Sequence, residues 1–100
     1  MHEGRQRLDK WLWFARFAKT RTLAARLVAE GLVRVNGTRA DAPAKLVGPG
    51  DVLTIAAAHV TAVVRVVSAG ERRGPAPEAQ LLYEEVRRDD GALVTIPGSG

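Results

Sequence analysis

The chain has no cysteine. That excludes disulfides and every thiolate metal or redox site, and it fits a reducing compartment. Aromatic residues are also scarce: two Trp, two Phe and one Tyr in 100 residues. Two histidines, His2 and His59, stand far apart without ligand-like neighbours, so neither a metal nor any other cofactor is expected. No apolar run approaches the length of a membrane span, and the opening MHEGRQRLDKWLW has no small-residue cleavage site. A cytoplasmic protein, not attached to a membrane, is the expectation. Gly48-Pro49-Gly50-Asp51 is glycine-rich but lacks the Lys-Ser/Thr of a phosphate loop and is read as a turn. No spacing suggests a Ser/His/Asp set, so an enzyme is not expected.

What is abundant is positive charge, unevenly placed. The net charge is +4 and the isoelectric point about 10.3. Residues 1–45 hold ten of the fifteen Lys and Arg against four acidic groups, whereas residues 46–100 hold five basic and seven acidic. Such an imbalance marks a surface that meets a polyanion. The length suits one domain, and 46% hydrophobic residues suffice for a modest core.

Residues 1–6 are expected to form a flexible arm. A first helix is predicted over about Leu8–Phe17, with Leu8, Trp11, Leu12 and Ala15 on one face. After a break at Lys19-Thr20, Thr20 is a good N-cap for a second helix over about Arg21–Glu30. Its apolar stripe is Leu23, Ala24, Leu27 and Val28, and Gly31 stops it. Val33-Arg34-Val35 alternates as a half-buried strand, and Asn36-Gly37 is a strong hairpin signal. Further extended segments are predicted at Lys45–Val47, Val52–Ile55 and Val60–Val67, separated by turns. Glu71–Pro77 reads as a linker, Glu78–Val86 as one or two helical turns, and Arg87–Gly100 as a flexible tail.

The basic groups of the two helices, Lys10, Arg16, Arg21 and Arg26, with Lys19 in the break and Arg5 and Arg7 before it, can gather on one side and contact phosphates. A solvated helix face also carries Lys and Arg, but here only Asp9 and Glu30 offset them within the helices. Asp9 is read as structural: it complements the helix dipole and can hold Arg7 or Arg16 in position. Trp13 lies on the polar side of the helical wheel, a candidate for stacking on an unpaired base or for covering the C-terminal segment. Arg34 and Arg39 point out of their strands and extend the basic surface, and Lys45 can do so across the loop. Asn36 serves the turn.

In order, Arg7-Leu8-Asp9-Lys10-Trp11-Leu12, Lys19-Thr20-Arg21, Ala24, Leu27-Val28, Gly31, Val33, Val35-Asn36-Gly37, Lys45 and Gly50-Asp51 resemble the RNA-binding domain named after ribosomal protein S4, the alpha-L motif. The resemblance implies an α+β domain over residues 7–70: two antiparallel helices packed on a small, strongly twisted, mainly antiparallel sheet. Residues 71–100 would be a C-terminal extension. It implies RNA contacts at Arg7, Lys10, Arg16, Lys19, Thr20, Arg21, Arg26 and Lys45, with Arg5, Trp13, Arg34, Asn36 and Arg39 as further candidates. A narrower likeness, RLDKWLWFARFAKTR together with ERRGPAPEAQLLYEE, is to the family of fifteen-kilodalton bacterial heat-shock proteins that bind free large ribosomal subunits. That family implies ribosomal RNA, the large subunit and peptidyl-tRNA as partners, in the rescue of stalled translation. Its basic helical C-terminal extension is not matched by Arg87–Gly100. A monomer is expected. The competing readings are a general RNA-binding module, an accessory to RNA modification, and a protein-interaction module anchored on Leu81, Leu82 and Tyr83.

Overall fold

Thr20 accepts a hydrogen bond from the Leu23 amide at 3.0 Å, and this cap starts helix α2, Arg21–Ala29. The helix before it, α1, spans Leu8–Phe14. The computed structural model describes residues 4–57 and 60–89. Seven strands complete it: β1 Gln6–Arg7, β2 Val33–Val35, β3 Thr38–Arg39, β4 Leu46–Val47, β5 Val52–Ala57, β6 Val60–Val66 and β7 Tyr83–Asp89. Between β6 and β7 lie a short helix α3, Ala76–Ala79, and a 3₁₀ turn, Gln80–Leu82. The strands form an antiparallel five-stranded sheet in the order β3-β2-β5-β6-β7 and a small antiparallel pair, β1 with β4.

The core is the seam between the helices and one face of the large sheet. Leu8, Trp11 and Leu12 of α1 and Ala24 and Val28 of α2 are buried against Val33, Leu53, Ile55, Ala62, Val64 and Val66. Alternation along β2 and β5 puts the apolar residues inward and Arg34 and Thr54 outward. Leu23, expected in the apolar stripe, is 40% exposed, and Leu27 is only partly buried. The stripe of α2 is therefore narrower than its composition suggests and centres on Ala24 and Val28.

Both helices end in the same way. In α2 the Gly31 amide bonds the Val28 carbonyl, the Leu32 amide bonds that of Leu27, and Gly31 takes φ +80°. In α1 the Arg16 amide bonds Trp13, the Phe17 amide bonds Leu12, and Arg16 takes φ +66°. This is the Schellman arrangement, with arginine in the left-handed position usually held by glycine. It ends α1 one turn before the predicted Phe17.

The C-terminal segment departs most from expectation. The helical turns expected over Glu78–Val86 occur only at residues 76–82, and Tyr83–Asp89 instead extend the sheet along β6. Arg87–Asp89, expected in the flexible tail, belong to that strand; the rest of the tail lies outside the described residues. The arm expected over residues 1–6 is likewise tied down at its end. Gln6 pairs with Val47, and its side-chain amide both donates to the Gly70 carbonyl (2.8 Å) and accepts from the Gly70 amide (3.0 Å). Residues 1–3 lie outside the described residues.

Gly70 is needed there for space. A Cβ would stand 2.7 Å from Phe14 Cδ2 and 2.9 Å from Phe14 Cβ. Phe14 is buried and cannot swing away at its Cβ. Gly70→Ala is expected to destabilise the protein by about 1–3 kcal/mol, the usual cost of overpacking. A midpoint in urea equal to that of the parent protein would show that the α1 end yields freely.

Candidate nucleic-acid interface

Asp9 organises the basic surface. It lies in the first turn of α1 and is 4% exposed. Its carboxylate accepts from Arg7 Nε (3.2 Å) and Nη2 (3.1 Å) and from the Lys10 amide (2.7 Å). Arg21 Nε, from the start of α2, stands 3.8 Å from Asp9 Oδ2. A nearly buried carboxylate at a helix N-terminus is favoured by the dipole and by the amide it accepts from. It binds two guanidiniums that both remain about half exposed. The expected structural role of Asp9 is thus present, with Arg21 rather than Arg16 as the second partner.

The chain around this cluster is held by backbone bonds. The Leu8 amide donates to the Lys45 carbonyl at 2.8 Å and the Asp9 amide to that of Pro43 at 3.1 Å. The loop carrying Lys45 therefore covers the orphan amides of α1 and lies beside Arg7, which pairs with Leu46. Lys10 sits on the next position of α1, its ammonium 5.6 Å from the centre of the Phe14 ring. Arg7, Lys10, Arg21 and Lys45 are brought together at this end. Lys19 and Thr20, both exposed, lead directly into α2 beside Arg21. Arg5 is exposed, with its side chain against Gly48.

Other candidates are placed differently. Arg26 is exposed and pairs with Glu30 one turn on, 3.2 Å away, which offsets its charge. Arg16 Nε donates to the Gly74 carbonyl at 2.7 Å, tying the end of α1 to the C-terminal segment. Asn36 donates to Asp51 Oδ1 (3.2 Å) and accepts from the Val52 amide (2.9 Å), so its amide group is engaged within the protein. Trp13 is half-buried and stacked on Phe14 with ring centres 5.3 Å apart. Arg34 and Arg39 lie on the outer side of the sheet.

One contact gave no signal in the sequence. Arg72 holds Glu78 through two hydrogen bonds, 3.0 and 2.7 Å, closing the Gly74-Pro75 loop. Hydrogen bonding from Arg72 keeps the Glu78 carboxyl below the ordinary carboxylate range. A Cβ on Gly74 would meet that carboxylate, so a side chain there would push Glu78 out of its place on Arg72. Leu82 and Tyr83 pack on the core, which leaves Leu81, 71% exposed, as the free member of the expected apolar anchor. Among the described residues no helix is long and apolar enough to cross a membrane, and no acidic or histidine cluster could hold a metal ion.

Residues 6–53 match the S4 domain family. A solved structure of Vibrio cholerae Heat Shock Protein 15, described as trimeric, superposes with a TM-score of 0.77 at 45% identity, covering 82% of each chain. The chain belongs to the Heat Shock Protein 15 family. Its similarity to Escherichia coli Heat shock protein 15 is 48% identity over 79 residues, 79% of this chain and 59% of that one. The Haemophilus influenzae homolog is 41% identical over 85 residues, 85% of this chain and 64% of the relative. The chain thus spans about three-fifths of the length of these curated relatives. The matched S4 region contains Asp9 with all three of its partners, and the Arg72–Glu78 clamp lies beyond it, in the part that the Heat Shock Protein 15 relatives share.

Proposed function

We propose that this protein binds structured RNA through the face organised by Asp9, without catalysing a reaction. The observation that carries the proposal is the pre-set pair Arg7 and Arg21, oriented by a carboxylate 4% exposed yet about half exposed themselves. Held guanidiniums lose less freedom on meeting a phosphate than free ones. Lys10, Lys19 and Lys45 add point charges around them, and each phosphate neutralised releases counterions. Folded RNA presents phosphates and 2′-hydroxyls more readily than base edges, so shape and backbone would dominate recognition. Membership in the Heat Shock Protein 15 family supports ribosomal RNA as the ligand. We assign it to free large ribosomal subunits carrying peptidyl-tRNA, in the rescue of stalled translation in the cytoplasm. One chain suffices to assemble the face, since Arg7, Asp9 and Arg21 come from the same chain.

Filter binding to isolated large subunits across a salt series tests this. Affinity should fall steeply and linearly in log–log form, and Lys19→Ala with Arg21→Ala should flatten the slope by about 2. A flat salt response, or a double variant that binds as the parent protein does, would sink the proposal.

A further inference from the structure

Arg34 and Arg39 stand directly opposite each other in the antiparallel pairing of β2 and β3, and both are exposed. Like charges at such positions repel. Elsewhere on the same face the chain neutralises its cation: Arg65 is in register with Glu84, guanidinium to carboxylate 2.5 Å. Arg34 and Arg39 have no carboxylate partner among the described residues.

Two structural roles account for Arg39. Its guanidinium lies over Gly31 at the C-terminal end of α2, where the dipole favours a cation. It also sits on an edge strand, where charge discourages pairing with other chains. Arg34 is on an interior strand, where edge protection is not needed. The register continues from Arg34 to Thr54, from Thr54 to Val63, and from Val63 to Arg87. One row therefore crosses all five strands, a span of about 19 Å at the usual strand spacing. It lies on the side away from the helices, because the alternate residues Val33, Val35, Leu53, Ile55, Ala62 and Val64 are the buried ones.

We infer that this outer sheet face is a second phosphate-contact surface, centred on Arg34 and Arg39, that takes a separate RNA segment while the Asp9 face holds the first. The protein then bridges two RNA segments. The inference rests on the RNA-binding reading above. The Asp9 cluster sits where α1 and α2 begin, whereas Arg34 projects from the side of the sheet away from the helices and Arg39 reaches Gly31 at the far end of α2. Exposed charges more than about 8 Å apart are largely screened at physiological salt. Each face thus titrates with its own RNA.

The test immobilises a structured ribosomal RNA fragment and measures capture of a short labelled RNA duplex by the protein. The parent protein should capture the duplex in complexes of one chain with two RNAs, read by light scattering. Arg34→Ser with Arg39→Ser should keep its affinity for the immobilised RNA within about twofold and weaken duplex capture about 30-fold, two phosphate contacts' worth. Arg34→Gln alone, a single change at an exposed position, should weaken capture by several-fold. Unchanged capture by the double variant overturns the inference. So does equal loss at both RNAs, which would place Arg34 and Arg39 on the first face, and so does bridging by two or more chains. A parent protein that fails to bind the immobilised RNA would instead refute the RNA-binding reading itself.

Discussion

Trp11→Ala is expected to destabilise the protein by about 3–5 kcal/mol, the range for truncating a buried large aromatic. Trp11 is fully buried, and its indole N–H donates to the Ser68 carbonyl at 2.9 Å. Its ring packs against Phe17 and Tyr83, with centres 6.1 and 6.2 Å away. It thereby joins α1, the chain after β6, and the first residue of β7. Alanine leaves a cavity at that junction and an unpaired carbonyl. For a 100-residue chain each kcal/mol moves the thermal midpoint by roughly 4–8 °C, so the drop should exceed about 12 °C. Trp11→Phe keeps most of the packing and loses the hydrogen bond, and should cost about 1–2 kcal/mol. Circular-dichroism melts of the two variants check this. A loss below about 1 kcal/mol for alanine would mean that the C-terminal segment does not lean on Trp11.

Trp11 was legible as a core residue because Leu8, Trp11, Leu12 and Ala15 repeat at helical spacing, and that pattern needs no partner to be seen. The Asn36-Gly37 turn and the stop at Gly31 were legible for a related reason. Both need positive φ, observed at +52°, +86° and +80°, and the residues that tolerate it are few. The end of α1 was hidden because arginine fills the left-handed position. The Arg16 side chain is secured by a carbonyl 58 positions away, which no local pattern reveals. Strand β7 was hidden by its own composition: Glu84, Glu85, Arg87 and Arg88 are good helix formers, and pairing with β6 overrides that preference. The exposure of Leu23 and the anchoring of Gln6 depend in the same way on contacts distant in sequence.

The candidate site divides along the same line. Charge content named the arginines and lysines, but only packing decides which are free to meet a ligand. Arg26 is offset by Glu30, Arg16 serves the chain's own C-terminal segment, and Asn36 serves its turn. Arg7 and Arg21 are fourteen positions apart in sequence and meet only because α1 and α2 both begin near Asp9. The fold therefore turns a diffuse excess of positive charge into one ordered pair with point charges around it.

That pair gives the second large effect. Arg7→Ala with Arg21→Ala should lower affinity for structured RNA about 30-fold at 0.15 M salt, from a slope of about 0.9 per phosphate contact. Asp9→Asn separates charge from order. It removes a negative charge from the face, which by itself favours a polyanion, and it releases two guanidiniums, which costs roughly 0.5–1.5 kcal/mol each on binding. The ordering cost outweighs the gain from removing that one charge, because a phosphate would meet it only across the half-solvated guanidiniums, at a separation where the repulsion is on the order of 1 kcal/mol. Asp9→Asn should therefore weaken binding by about two- to tenfold while leaving the salt slope as steep as in the parent protein, whereas the double arginine variant flattens it by about 2. Its stability should fall by about 1–2 kcal/mol only, because the freed arginines are already half in water and are readily rehydrated. Salt titrations of the three proteins against one RNA distinguish these outcomes. Tighter binding by Asp9→Asn would show that Asp9 acts as a charge on the face, and that the arginines need no carboxylate to find their phosphates.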